Sequence, residues 1–263
     1  MFYLIKEIKI NLRVKDNTLL PIPRMNDLNN TEKQMHNELT GHVGRLLREA
    51  FGKGPESIFV SINRPFAVIY LRSFLSATEK ILLQQDKVFS ILNTRDLVMK
   101  SLIPEIKAYL LLLTDMQIRE FYYDWDLHNH SGIMVGIESD ESRESRLHNA
   151  LEQSYTGKEA LHKEIDTISC QVQKSPEELY SFMINERTLL VIRNGILISI
   201  EKELIRIGHE ESLKLAKRNL EKSRLHNNSH FPTILKMKVL DVFVDWDFDL
   251  DRSIITFILS PNR

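Results

Sequence analysis

Two heptads carry residue types able to do chemistry. Residues 124–130 read DWDLHNH and residues 245–251 read DWDFDLD, so every second residue is Asp or His and those between are mostly Trp, Phe or Leu. On an extended strand alternate side chains share one face. Asp124, Asp126, His128 and His130 would then form a ladder of carboxylates and imidazoles suited to Zn²⁺, Mn²⁺ or Fe²⁺. Asp245, Asp247, Asp249 and Asp251 offer oxygen alone, which suits Ca²⁺ or Mg²⁺. Against a metal, ladder neighbours spread over roughly 13 Å and cannot converge on one ion without a turn. Asn129, Ser131 and Gly132 mark that segment as a turn, where Asp is favoured because it bonds nearby backbone N–H groups. The expected reading is solvated carboxylates at hairpin bends and no bound metal, with Trp125 and Trp246 on the opposite face as core.

Other candidates are weaker. GKGP at 52–55 sets Lys53 between Gly52 and Gly54, a loop whose backbone N–H groups could hold an anion. A helix C-cap stopped by Pro55 is the simpler expectation, because the Gly-Lys-Ser/Thr ending and upstream strand of a phosphate loop are missing. Glu79 with Arg72 or Arg95, echoed by Glu201 with Arg193 and Arg218, could form a polar constellation. Ser76 and Glu79 already make a capping box, and Arg72 ends a strand where it can face water. Cys170 reads as a buried small hydrophobe among Ile168 and Val172. The basic run 214–224 reads as a solvated helix face, and His226 and His230 flank a loop. No HExxH, CxxC, GxSxG or GxGxxG occurs, so no catalytic residue and no cofactor is assigned.

The elements that position these residues come twice. Pro55 and Pro176, Arg72 and Arg193, Asp124-Trp125-Asp126 and Asp245-Trp246-Asp247, and Ile133 and Ile254 all lie 121 apart. Glu79-Lys80 matches Glu201-Lys202 one residue late. Apolar residues at helical spacing fill 31–51, led by a capping box of Thr31 and Gln34; Thr156 and Glu159 repeat it before Leu161, Ile165 and Ile168. Short strands are predicted at 57–62 and 66–71, and at 179–184 and 188–192, joined by tight turns. Long helices follow at 76–93 and 199–222, with Pro104 opening a further helix in 94–115. Hairpins close each copy, 117–125 with 132–137 and 238–246 with 254–259.

The expected fold is α+β, two tandem duplicated α-β-β-α-(α)-β-β modules, each a mostly antiparallel sheet with helices on one face. The expected organisation is an N-terminal extension (1–28), module 1 (29–137), a linker (138–145) and a diverged module 2 (146–263). Residues 1–28 form an extra strand and loop, or Met25 is the start; both alternatives stay open.

From Thr31 to Ile137 the chain resembles the MpsC family. The likeness rests on GKGPESIFVSI (52–62), SATEKIL (76–82), Arg95 and the closing hairpin with Asp124 before GIMVGI. Module 2 keeps SIEKEL (199–204) but has QKSP (173–176) in place of GKGP, and LTDM (113–116) stands where the family has Leu-Thr-Gly. The resemblance implies association with a Na⁺-linked, membrane-potential-generating system related to inorganic-carbon uptake, and no established catalytic residues.

The totals narrow the field. Lys+Arg 35 against Asp+Glu 36 provides no basic field for nucleic acid. A single cysteine fits a reducing, cytoplasmic setting. The longest apolar runs, YLLLL and GILISI, fall far short of the roughly 20 residues that span a bilayer. The function expected is a non-enzymatic cytoplasmic accessory protein of a membrane Na⁺/bicarbonate system, with a membrane transport partner and a homo-oligomer or intramolecular pseudo-dimer interface. A small-anion or nucleotide sensor is the alternative, and a metal-dependent hydrolase comes last.

Overall fold

The computed structural model describes the backbone of residues 25–138 and 154–261, and side chains from Lys33 onward. The chain divides into two units, Met1–Met35 and His36–Arg263. Helix α1 (Met25–Phe51) leads to the hairpin β1 (Ser57–Asn63) and β2 (Phe66–Arg72). Helices α2 (Ala77–Gln84) and α3 (Val88–Thr114) follow, then β3 (Ile118–Asp126) and β4 (Ser131–Glu138). The second half repeats the order: α4 (Lys158–Val172), β5 (Glu178–Asn185), β6 (Thr188–Asn194), α5 (Ser199–Arg206), α6 (Glu210–His226), a short α7 (His230–Leu235), β7 (Met237–Asp247) and β8 (Arg252–Pro261). The two sheets share one topology, β1-β2-β4-β3 and β5-β6-β8-β7, antiparallel throughout.

Strand composition shows why the sheets lie back to back. Strand β2 reads FAVIYLR, apolar on both faces, and a strand of that kind needs two partners. Ala67, Ile69 and Leu71 pack with Leu39, Val43 and Leu46 of α1 and Ile106 and Leu110 of α3. Phe66 and Val68 turn the other way and meet Phe182, Leu190 and Ile192 of the second sheet, together with Ile133, Val135, Phe243 and Ile254. The second half builds its own helix-side core around Leu161, Ile165, Leu189, Val191 and Trp246. Four layers result: helices, sheet, sheet, helices. Trp125 and Trp246 occupy like surroundings, each nearly fully buried on the helix face of its sheet. Gly132 lies against the first of them; a Cβ there would come 2.4 Å from the Trp125 ring.

Several local expectations change. Helix α1 already runs through Thr31 from Met25, so its start lies ahead of the expected capping-box positions 31 and 34. Helix α4 starts after a left-handed Gly157 with no side-chain cap, so Thr156 and Glu159 do not cap it. The predicted 76–93 helix breaks at 85–87, where Asp86 takes a positive φ, and Pro104 lies inside α3. One missing N–H is tolerated there because Met99, Ile106 and Leu110 anchor the helix on both sides of it. The 199–222 helix likewise breaks at Gly208, φ +84. His226 ends α6 and His230 opens α7. Cys170 is exposed, because α4 buries Leu161, Ile165, Ile168 and Ser169 and turns the next residue outward. Residues 139–145 of the expected linker, and residues 1–24, lie outside the described residues.

Candidate functional site

The edge strands β3 and β7 run beside each other where the two sheets meet, and the two Asp ladders start there. Asp124 and Asp245 are buried in mid-strand, 0% and 3% exposed, not solvated at a bend. The reason is reciprocal: Asp124 Oδ2 accepts from Val244 N at 3.0 Å, and Asp245 Oδ2 accepts from Tyr123 N at 2.8 Å. Each carboxylate satisfies an N–H on the other half's edge strand, which would otherwise be an unpaired donor.

Two buried carboxylates need cations. Helix α6 packs on β7 and supplies three from one face, at i, i+4 and i+8: Lys214, Arg218 and Lys222. Arg218, fully buried, places Nε 3.1 Å from Asp124 Oδ1, Nη1 3.3 Å from Asp96 Oδ2 and Nη2 3.8 Å from Asp245 Oδ1. Lys214 Nζ lies 2.7 Å from Asp245 Oδ1, and Lys222 Nζ 2.8 Å from Asp124 Oδ2. Lys222 also donates to the Trp125 carbonyl. Three acids face three bases, so the centre is close to neutral. Burial would lower the Arg218 pKa, but Asp124, Asp245 and Asp96 outweigh it and hold it above its ordinary value. Burial pushes the Asp96 carboxyl above its ordinary value, against the pull of Arg218 and Lys214.

A second pair of ion pairs lies behind the tryptophans. Arg95 Nε meets Glu79 Oε1 at 2.7 Å and its guanidinium stacks 4.6 Å from the Trp125 ring. At the matching positions, Lys217 Nζ meets Glu201 Oε1 at 2.6 Å and lies 5.7 Å from the Trp246 ring. Glu79 also accepts from Ser76 N at 2.8 Å, completing the expected capping box. Burial works to raise the Glu79 pKa, yet its bonds to Arg95 leave it below the ordinary value.

The predicted constellations are thus partly assembled. Glu79 takes Arg95, while Arg72 stays exposed. Glu201 takes Lys217 instead of Arg193 or Arg218; Arg193 turns to Glu221 at 2.6 Å and Ser169 at 2.9 Å. The run 214–224 is not a solvated face, since Lys217, Arg218 and Glu221 are buried. The i, i+4, i+8 spacing of its cations was the available signal.

The rest of the ladders diverges. Asp126 Oδ1 accepts from His128 N and Asn129 N at 2.8 and 2.9 Å, and Oδ2 lies 3.4 Å from His226 Nε2. His128 is exposed, and His130 takes a positive φ with its carbonyl accepting from Phe74 N at 2.7 Å. Asp247 Oδ1 accepts from Leu250 N at 3.1 Å, and Asp249 is exposed. Asp251 Oδ1 accepts from Ile196 N and Leu197 N at 2.8 and 2.7 Å. Among the described residues, no three His, Cys, Asp or Glu side chains are grouped to hold a metal ion. Gly52, φ +72, ends α1, and Lys53 and Gly54 follow it in the loop.

The arrangement defines a duplicated α+β protein whose halves are fastened by buried, reciprocal charge. The family described as Na⁺-translocating membrane potential-generating system (MpsC) matches residues 31–139 and 158–261, one segment in each half. The chain belongs to the MpsC family, as its sequence motifs predict. No curated protein and no solved structure matches it. Among the described residues, no helix is long and apolar enough to cross a membrane.

Proposed function

We propose that the protein is a non-enzymatic accessory or regulatory component of a membrane Na⁺/bicarbonate, potential-generating system, acting from the cytoplasm on a membrane partner. The observation that carries this reading is the family match in both halves, which ties the whole duplicated body to the system named by the family. The disposition of the chemistry-bearing groups supports it. The Asp124 and Asp245 carboxylates, which would be the first candidates for metal or acid–base work, are taken up by Arg218, Lys214, Lys222 and backbone amides. They serve to hold two halves in register, as a scaffold that presents surfaces to a partner requires.

Deletion of the gene, followed by measurement of Na⁺-dependent membrane potential and of growth on limiting bicarbonate, tests the reading. Both are expected to fall and to return with the wild-type chain. Unchanged potential and growth would refute it.

A further inference from the structure

The match between the halves breaks down at one exposed corner. At an offset of 122, left-handed Asp86 stands where left-handed Gly208 stands, and Val88, which opens α3, stands where Glu210 opens α6. The two helices meet across the junction, Asp96 against Arg218. On one flank of that contact Glu211 Oε1 of α6 lies 2.5 Å from Lys100 Nζ of α3. Exchanging the halves turns this pair into Phe89 and Lys222, so the matching place on the other flank holds a ring instead of a carboxylate. Acids are favoured in the first turn of a helix, where they face the positive end of its dipole, and α6 follows that rule with Glu210 and Glu211. Helix α3 departs from it with Val88 and Phe89, 39% and 62% exposed.

Beside that corner lies a cleft of about 260 Å³ between α3, α6 and the end of β3. Val88, Leu92 and Leu127 supply apolar lining, and Trp125, Asp126 and Lys222 line it too. Asp126 spends Oδ1 on His128 N and Asn129 N, and Oδ2 faces His226. Lys222, largely buried, gives two of its three ammonium donors to Asp124 and to the Trp125 carbonyl, which leaves one. The indole N–H of Trp125, nearly fully buried, meets no acceptor among the described residues. Buried donors of this kind are normally paired. Next to the apolar lining, therefore, stand a cation and an indole with bonds still to give, at the place where the other flank has Glu211.

We infer that this cleft binds a small organic carboxylate with an apolar body, of the size of an arylacetic acid. The ligand's carboxylate does on this flank what Glu211 does on the other, accepting from Lys222 and from the Trp125 N–H. Its apolar body lies on Val88, Leu92 and Leu127, as the mixture of apolar lining and a few placed donors in a ligand cleft requires. The inference rests on the cleft and on comparing the two halves, and does not depend on the transport reading above.

The chain has two tryptophans, so the ¹⁵N-labelled full chain gives two indole N–H signals, told apart with Trp246→Phe. The probe is sodium phenylacetate. Its titration is expected to shift the Trp125 signal, to saturate below about 10 mM, and to leave the Trp246 signal in place. Acetate, which lacks the apolar body, and phenylacetamide, which lacks the charge, are each expected to bind at least about tenfold more weakly. Phe89→Glu puts into the first half the carboxylate that the second half carries, and should weaken phenylacetate binding about tenfold or more. Phe89→Gln, of the same size and uncharged, should keep it within about twofold; circular dichroism confirms that both variants are folded. No saturable shift of the Trp125 signal by about 10 mM, equal binding of acetate or phenylacetamide, or equal binding by Phe89→Glu and Phe89→Gln overturns the inference.

Discussion

Arg218→Met tests the charge centre most directly. The substitution keeps the length and apolar stem of the side chain and removes one guanidinium that lies within 3.8 Å of three carboxylates. Three acids then face Lys214 and Lys222 alone, leaving one uncompensated negative charge in a buried site. Breaking a buried ion pair from one side costs about 3–5 kcal/mol, and urea denaturation followed by circular dichroism measures it, with an unchanged m-value expected. Two further results make the cause specific. Asp96→Asn, added to Arg218→Met, restores neutrality and should recover about 1–2 kcal/mol of the loss. The pH dependence should follow the acid: the folded-state pKa of Asp96 is already raised by burial, and losing Arg218 raises it further. An acid with a raised folded pKa binds protons more tightly when folded, so stability falls as pH rises from the unfolded value through the folded one. The loss in Arg218→Met should therefore shrink as pH is lowered from 7 towards about 5. A loss below about 1 kcal/mol, or no rescue by Asp96→Asn, would refute the claim that the centre couples the halves.

Other outcomes are expected. Arg95→Met strands the Glu79 carboxylate and should destabilise by about 3 kcal/mol in thermal or urea unfolding, whereas Glu79→Gln with Arg95→Met should recover part of that. Gly132→Ala forces a Cβ to 2.4 Å from the buried Trp125 ring, and should cost about 1–3 kcal/mol with a shift in tryptophan fluorescence. His162 has its pKa lowered by burial and by nearby Lys158, so the unfolded chain takes up its proton first and stability should fall as pH drops below 6.5. His162→Gln should flatten that slope in melting temperatures taken across the range. Burial works to raise the Asp251 pKa, yet the Leu197 amide and Lys202 hold it below its ordinary value. Asp251 therefore gives stability above its unfolded value that is lost as pH falls through the folded one, and Asp251→Asn should remove that acid-side loss.

The repeat and its hairpins were legible because strand and turn signals are local. Alternation in 117–125, with Gly132 after the turn, places β3 and β4 to within a residue or so. The true role of Asp124 was not legible, because its neighbours come from elsewhere: Val244 N lies 120 residues away in the other half, and Arg218 in its α6 helix. An Asp beside a Trp on an alternating strand looks the same whether the acid faces water or a second sheet. The break in the first long helix was missed for the opposite reason. Asp86 and Lys87 carry no strong stop signal, and Pro104, which does, is overruled by the packing of Ile106 and Leu110. The misplacement of Cys170 is a matter of phase, one step beyond Ser169 on the buried face of α4. The offset of 122 between Glu79 and Glu201 also equates Arg95 with Lys217, so the sequence itself carries the signal for these two ion pairs.

The same offset sets Asp96 opposite Arg218, in contact at 3.3 Å. Were the two halves separate and identical chains joined about a two-fold axis, each such position would confront its own copy, acid on acid or base on base. Fusion into one polypeptide lifts that restriction: the sides of the junction can drift apart in sequence and become complementary. An acid at 96 against a base at 218 is a match that two copies of the same half could not make at that position.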